Sequence, residues 1–301
     1  MFEVLESTGA HIERRAPLHK LAWWRVGGPA ELLVQVDDLP TLQAVKALGP
    51  DPCAVLGNGS NALIHDDGIP GVLLQLVGEL ASMRAQGERV IVGAGMKLVV
   101  LLSRLDRLGL AGAEVFAGIP GTVGGAVVMN AGSRMGETRD IVESVTLVMP
   151  GGETVEMSQD ALNFSYRHAK IPKGAVVARA TLKLTRKDAA SRLTSRKEFL
   201  ALRKATQPLN LPSCGSTFTN PPGDYAGRLI EGAGLKGLHR GGAQISEKHA
   251  NFIVNHGSAT AEDIRWLIAT ARCEVRERFG VWMKPEVKLL GPWASDALDR
   301  P

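Results

Sequence analysis

The sequence predicts an α+β protein built from two nucleotide-scale units and a C-terminal unit. Three observations carry this. Short apolar strands alternate with helical patterns through the first half. Neither G-x-G stretch completes the strand–glycine–helix fingerprint that a dinucleotide fold requires. A long amphipathic helical pattern stands near the C-terminus. At 301 residues the chain is long enough for two or three domains, and 45 % hydrophobic against 22 % charged residues implies a packed core.

The elements follow in order. "LLVQV" (32–36) reads as a strand, and "DDLPTLQAVKALG" as a helix closed by Gly49. "GVLLQL" is a further strand, and the chain turns polar at 78–88, where a first boundary is expected. "ERVIVGAG" begins a second part. Its helix "MKLVVLLSRLDRLG" places Leu98, Leu101, Leu102, Leu105 and Leu108 on one face and stops at Gly109. "VTLVMPGGETVEM" predicts a hairpin turning at Gly151-Gly152, and "AVVARATLKL" a strand. The charged helix "RKDAASRLTSRKEFLALRKA" is expected to link domains. In the third part come "AGRLIEGAG", the strand "NFIVN" and a helix from Thr260 to Phe279. That helix opens with the capping-box pair Thr260 and Asp263, stops at Gly280, and presents Ile264, Leu267, Ile268, Ala271, Val275 and Phe279 on one face. "VWMKPEVKLL" reads as a strand and "PWASDALDRP" as a loosely ordered tail.

Composition excludes several classes. A net charge of +4 with two tyrosines and no basic run interleaved with aromatics gives no nucleic-acid surface. No apolar run approaches the ~20 residues of a membrane span, and the first residues do not read as a signal peptide. Cys53, Cys214 and Cys273 are odd in number and far apart, which argues against a disulfide framework or zinc site. The cytoplasm is the expected compartment.

"GNGSNA" (57–62) and "GAGMKL" (93–98) invite a Rossmann reading. After Ala62, however, "LIHDDGIPG" cannot sustain a helix, and Leu98 stands where the third small residue is needed. The glycines can still address phosphate. Gly57 and Gly59 can take positive φ and present backbone N–H groups to an anion, with Asn58, Ser60 and Asn61 adding side-chain donors. Ile119-Pro120-Gly121-Thr122 reads as a turn into a short helix whose first N–H groups are free. Two such loops suit a diphosphate between two nucleoside-like ends. The bland reading, tight turns with close packing, stays open.

"LGNGSNALIHDDGIPGV", "AGIPGTVGGAVVMNAGSRMGE", "FSYRHAKI", "PSCGSTFTNPPGDYAGRLIEGAGLKG" and "GGAQISEKHANFIVN" resemble, in order, the signatures of the UDP-N-acetylenolpyruvoylglucosamine reductase (MurB) family. The resemblance runs from about residue 23 to 291. It implies an FAD-binding fold of the vanillyl-alcohol-oxidase type: two α+β FAD-binding subdomains (1–79 and 80–190) and a C-terminal α+β substrate-binding domain (191–301), with a return of its last strand near 285–291 to the FAD-binding part left open. It implies noncovalent FAD, with NADPH as hydride donor and a UDP-sugar as substrate, and no required protein partner. By position, Gly57, Asn58, Gly59, Ser60 and Asn61 would bind the flavin pyrophosphate. Gly118, Ile119, Pro120, Gly121, Thr122, Gly124 and Gly125 would run along the flavin.

The implied reaction reduces an enolpyruvyl ether to a lactyl ether, leaving negative charge beside a carboxylate that then needs a cation and a proton. The resemblance makes Ser216 the proton donor, Arg167 the partner of the carboxylate and Glu286 the third catalytic residue. Tyr166 would line the pocket and Asn220 would contact the nucleotide diphosphate. His249 and His65 lack a second ligand at metal spacing and read as structural, so no metal is expected. Residues 168–215 contain no tyrosine, which resembles the subgroup lacking an inserted tyrosine loop. The competing readings are an FAD-dependent oxidase of a small alcohol or sugar on the same fold, and a non-catalytic flavin- or nucleotide-binding protein. Oxidases of that kind often tether flavin through histidine or cysteine, and neither glycine-rich loop has one.

Overall fold

The computed structural model describes residues 2–49, 53–186 and 189–301. Packing divides the chain into two units. One comprises Met1–Arg14, Leu32–Asn58 and Gly71–Ala201, the other Arg15–Glu31, Gly59–Pro70 and Leu202–Pro301. Each unit takes three separate stretches of the sequence, so the chain passes back and forth between the two.

The first unit is built on a five-stranded antiparallel sheet in the order Thr154–Ser158, Val142–Val148, Val176–Lys183, Arg89–Gly93, Met83–Gln86. The expected hairpin is there: Val148 faces Thr154, and Gly151 and Gly152 take φ of +101° and +88°, the left-handed region glycine enters at little cost. A parallel pair, Cys53–Val55 with Ile69–Leu76, belongs to a four-stranded sheet completed by Pro29–Val36 and His11–Pro17.

We number the helices α1 (Phe2–Glu6), α2 (Leu39–Ala47), α3 (Leu98–Arg107), α4 (Val123–Val128), α5 (Ala189–Thr206), α6 (Ala226–Gly232) and α7 (Ala261–Phe279). The Asp38 carboxylate accepts the Thr41 N–H at 2.8 Å and caps α2, and those hydrogen bonds from Thr41 hold the carboxyl below its usual range. α3 buries Leu98, Leu101, Leu102 and Leu105, each contributing roughly 2 kcal/mol. Leu108 departs from the expectation: it caps the helix one step past its last turn and is 45 % exposed. α4 packs on the strand Val176–Lys183. α5 is the charged helix expected to link domains. The division of packing falls inside it, at Ala201–Leu202, while Lys187 and Asp188 lie outside the described residues.

In the second unit α7 has the expected capping box between Thr260 and Asp263 and ends at Gly280, φ +68°. Ile264, Leu267, Ile268, Ala271 and Val275 are buried. Phe279, in the final turn, is 38 % exposed rather than core. The Asp66 carboxylate also caps this helix, accepting the N–H groups of Ala261 and Glu262 at 2.8 and 3.0 Å. A three-stranded antiparallel sheet runs His239–Arg240, Ala243–Ile245, Ile253–Asn255.

Two expectations need correction here. The segment 281–290 is a regular strand only over Lys288–Leu290, which pairs in parallel with Ala62–Ile64. Proline at 285 has no N–H to give, and its neighbourhood pairs through an isolated bridge with Phe218. Met283 and Val287 are nevertheless buried. The tail is fastened, not loose. Arg272 Nη1 donates to Leu298 O at 2.6 Å and Arg265 Nη1 to Ala297 O at 2.6 Å. The loop-like composition of 292–301 hides these ties, because their donors sit on α7. Among the described residues no helix is long and apolar enough to cross a membrane.

Candidate active site

The two glycine-rich stretches share a composition and differ in chemistry. In 57–61, none of the five backbone N–H groups finds an acceptor among the described residues. Gly59 is buried and its neighbours are half-buried, so each unpartnered donor is costly unless a ligand or water takes it. Such a run is the donor set of an anion site. Gly59 has φ +63°, and a Cβ there would overlap the Leu21 carbonyl. Gly57 is not in the left-handed region as expected. It is small because a Cβ would lie 2.6 Å from Thr122 Oγ1. The asparagine side chains are not free donors either. Asn58 Nδ2 donates to Pro120 O at 2.5 Å and Asn61 Nδ2 to Glu286 O at 3.1 Å, which ties the loop at both ends. The Ser60 hydroxyl has no partner among the described residues.

In 118–125 most of the donors are already used. Ile119 N–H goes to Phe116 O at 3.0 Å, Val123 N–H to Met96 O at 2.9 Å and Gly124 N–H to Ala94 O at 2.8 Å. Gly125 N–H reaches Thr122 Oγ1 at 3.4 Å, a weak cap. The expectation that the first N–H groups of α4 are free is therefore overturned. The helix start is docked on the backbone of 94–96, and a Cβ on Gly124 would sit 2.9 Å from Ala94 Cβ. Gly118 takes φ +68°, and Gly121 O accepts from Leu98 N–H at 3.0 Å. Here glycine allows close packing. The fit to a flavin diphosphate rests on 57–61, whose donor set suits it. By the character of the two stretches, 118–125 would present a small-residue wall.

Arg167 belongs to the first unit. It occupies a tight turn with φ +57°, where Ser165 and His168 exchange backbone hydrogen bonds at 2.9 and 3.1 Å. Its guanidinium stacks on Tyr166, 4.9 Å from the ring centroid, and Nη2 donates to Gly132 O at 3.3 Å. Tyr166 is 49 % exposed, and such a ring and cation are both able to meet a ligand.

Ser216 and Glu286 belong to the second unit, which brings their segments together by main-chain pairing. Glu286 N–H donates to Thr217 O at 2.8 Å and Thr219 N–H to Lys284 O at 3.0 Å, either side of the Phe218–Pro285 bridge. Asn251 holds the other edge as a mimic of a strand. Its Oδ1 accepts Phe218 N–H at 2.9 Å, its Nδ2 donates to Phe218 O at 2.8 Å, and its carbonyl takes Thr217 N–H. Ser216 follows Gly215, φ +74°, and its half-buried hydroxyl has no partner among the described residues. The buried Thr217 hydroxyl is also unpartnered. Cys214 fastens this segment, its thiol directed at Gly59 O and Ala62 O at 3.8 and 3.7 Å. Burial pushes its pKa up to about 12, so it stays a donor and not a nucleophile. Sequence reasoning assigned no role here to Cys214 or Asn251; the one signal for Asn251 is that it is one of the two asparagines that flank the apolar run 252–254.

Asn220 is exposed, and its Oδ1 accepts the Ala226 N–H at 3.1 Å, so half of its amide serves the start of α6. His249 is structural: Nδ1 accepts the Asn251 N–H at 3.2 Å, and burial lowers its pKa. His65 accepts the Asp67 N–H at 3.0 Å and meets Trp293 edge-on. Among the described residues no cluster of His, Cys, Asp or Glu could hold a metal ion.

Comparison with known proteins is consistent across the chain. Residues 207–290 match the family described as UDP-N-acetylenolpyruvoylglucosamine reductase, C-terminal domain, and residues 33–158 match an FAD binding domain. The UDP-N-acetylenolpyruvoylglucosamine reductase of Anaeromyxobacter dehalogenans is 44 % identical over 97 % of this chain and 89 % of its own. That of Methylococcus capsulatus is 45 % identical over 95 % and 94 %. The crystal structure of the Thermus caldophilus enzyme superposes with a TM-score of 0.83 at 39 % identity, over 93 % of this chain and 99 % of that one. A berberine bridge enzyme variant shares the fold alone, with TM-score 0.51 at 12 % identity over 62 % of this chain and 43 % of its own.

Proposed function

The chain belongs to the UDP-N-acetylenolpyruvoylglucosamine reductase family, and from that premise we propose which of its residues carry the reaction. The activity is the NADPH-dependent, FAD-mediated reduction of UDP-N-acetylglucosamine enolpyruvate to UDP-N-acetylmuramate, a step of peptidoglycan precursor synthesis. The fold is the FAD-binding α+β fold expected from the resemblance. FAD, when bound, supplies two-electron transfer between NADPH and the substrate alkene.

The residues proposed to hold the cofactor are Gly57 to Asn61, through main-chain N–H groups, and the small-residue stretch 118–125. Neither contains histidine or cysteine, in keeping with noncovalent binding. Arg167 faces the substrate carboxylate. A guanidinium stays charged at any working pH and offers a planar fork to two oxygens, so it stabilises the charge that spreads into that group. Ser216 gives the proton. A serine hydroxyl is a weak acid in water, yet an enolate carbon is basic enough to take its proton when the two are held within reach. Glu286 is the third catalytic group, carried on the segment paired with Thr217. Tyr166 and Asn220 contact substrate. The three free cysteines are compatible with the cytoplasm.

The observation that carries this assignment is the unpartnered, half-buried Ser216 hydroxyl, set beside the backbone pairing that brings in Glu286. The test is turnover by the purified protein. NADPH oxidation should require the enolpyruvyl sugar nucleotide, and the product should gain two mass units. Oxidation sustained by oxygen alone would sink the substrate assignment.

A further inference from the structure

Asn130 is fully buried and holds φ +41°, a left-handed backbone that asparagine tolerates better than most residues. Both ends of its side-chain amide are in use. Nδ2 donates to Ser165 O at 3.0 Å and to Glu137 Oε2 at 2.9 Å, while Oδ1 accepts the Arg139 N–H at 3.0 Å. Ser165 is the first residue of the turn that carries Tyr166 and Arg167. Backbone atoms on either side of Asn130 grip the same turn: Ala169 N–H donates to Val128 O at 3.1 Å, and Arg167 Nη2 to Gly132 O at 3.3 Å. Among these ties, the amide of Asn130 is the side-chain bond to the turn's own backbone.

We infer that Asn130 is a positioning residue for Arg167: its amide fixes the 165–168 turn so that the guanidinium addresses the substrate carboxylate. The inference rests on the reading of Arg167 given above. A buried amide whose donors and acceptor are all used holds one geometry, since any departure strands polar atoms away from water. Arg167 sits in a left-handed conformation that the surrounding contacts must maintain. Asn130→Asp keeps shape and backbone tolerance but sets a carboxylate oxygen against the Ser165 carbonyl and the Glu137 carboxylate, turning attraction into repulsion at both.

The test uses holoprotein and two nucleotides that differ in one group. UDP-N-acetylmuramate carries the carboxylate, and UDP-N-acetylglucosamine does not. Calorimetric titration should show Asn130→Asp weakening the first by about ten- to a hundredfold, the range of a charged hydrogen bond, while the second changes by less than about twofold. Asn130→Gly, which keeps the left-handed freedom and removes all three bonds, should show the same selectivity and serves if the first variant does not fold. Arg167→Gln must reproduce the selective loss; if it does not, the reading of Arg167 falls. If Arg167→Gln shows it and the Asn130 variants weaken neither nucleotide, or both equally, the inference is overturned.

Discussion

The stretches 57–61 and 118–125 look alike in composition, yet among the described residues one leaves its N–H groups unpartnered and the other uses most of them internally. In the first, glycine clears the way to a row of donors. In the second, glycine lets α4 settle on the backbone of 94–96. Glycine enrichment thus reports close approach without saying what approaches. A ligand is indicated only where the donors remain open.

Substitutions can break or sharpen this contrast. Gly59→Ala should have the largest effect. It forces a side chain into the left-handed region and against the fixed Leu21 carbonyl, costing about 3 kcal/mol, and it disturbs the donor row. Thermal melting should fall by several degrees and the purified protein should lose flavin, read from its absorbance ratio. Gly124→Ala should cost about 1–2 kcal/mol through overlap with Ala94 and retain more flavin than Gly59→Ala. The added substitution Ala94→Gly should recover part of the loss. Equal flavin loss from both glycine variants would erase the distinction.

Thr260→Ala removes one of the two side-chain caps of α7, leaving that of Asp66, and should cost about 1 kcal/mol with flavin content unchanged, which separates general destabilisation from loss of the cofactor. The smallest effect concerns His249. Burial lowers its pKa below 6.5, so the unfolded chain binds the proton more readily than the folded one. Its stabilising contribution is present above about pH 6.5 and is lost as pH falls towards the lowered native value. His249→Asn, which can keep the acceptor for the Asn251 N–H, should flatten that acid decline in a melting series.

Local signals were legible in the sequence. The capping box and stop of α7, the Gly151-Gly152 hairpin and the absence of a helix after Ala62 each depend on neighbours a few residues away. What escaped reading depends on distant partners. The α4 glycines face 94–96, Asp66 caps a helix that begins at Ala261, Cys214 holds Gly59 and Ala62, and the tail is pinned by Arg265 and Arg272. The site residues stood out through resemblance. On the residues alone, Arg167 and Glu286 pass for ordinary loop and strand residues, because their environments come from chain segments far away in sequence.

The most direct measurement is anaerobic stopped-flow absorbance on Ser216→Ala beside the unaltered protein. NADPH should bleach the flavin at the same rate in both. On adding the enolpyruvyl sugar nucleotide, the flavin band should return rapidly in the unaltered protein and about a hundredfold or more slowly in the variant, the range of a lost general acid. Equal recovery in both would contradict the assignment of Ser216 as proton donor. A variant slow to bleach with NADPH would place the residue in the wrong half of the reaction.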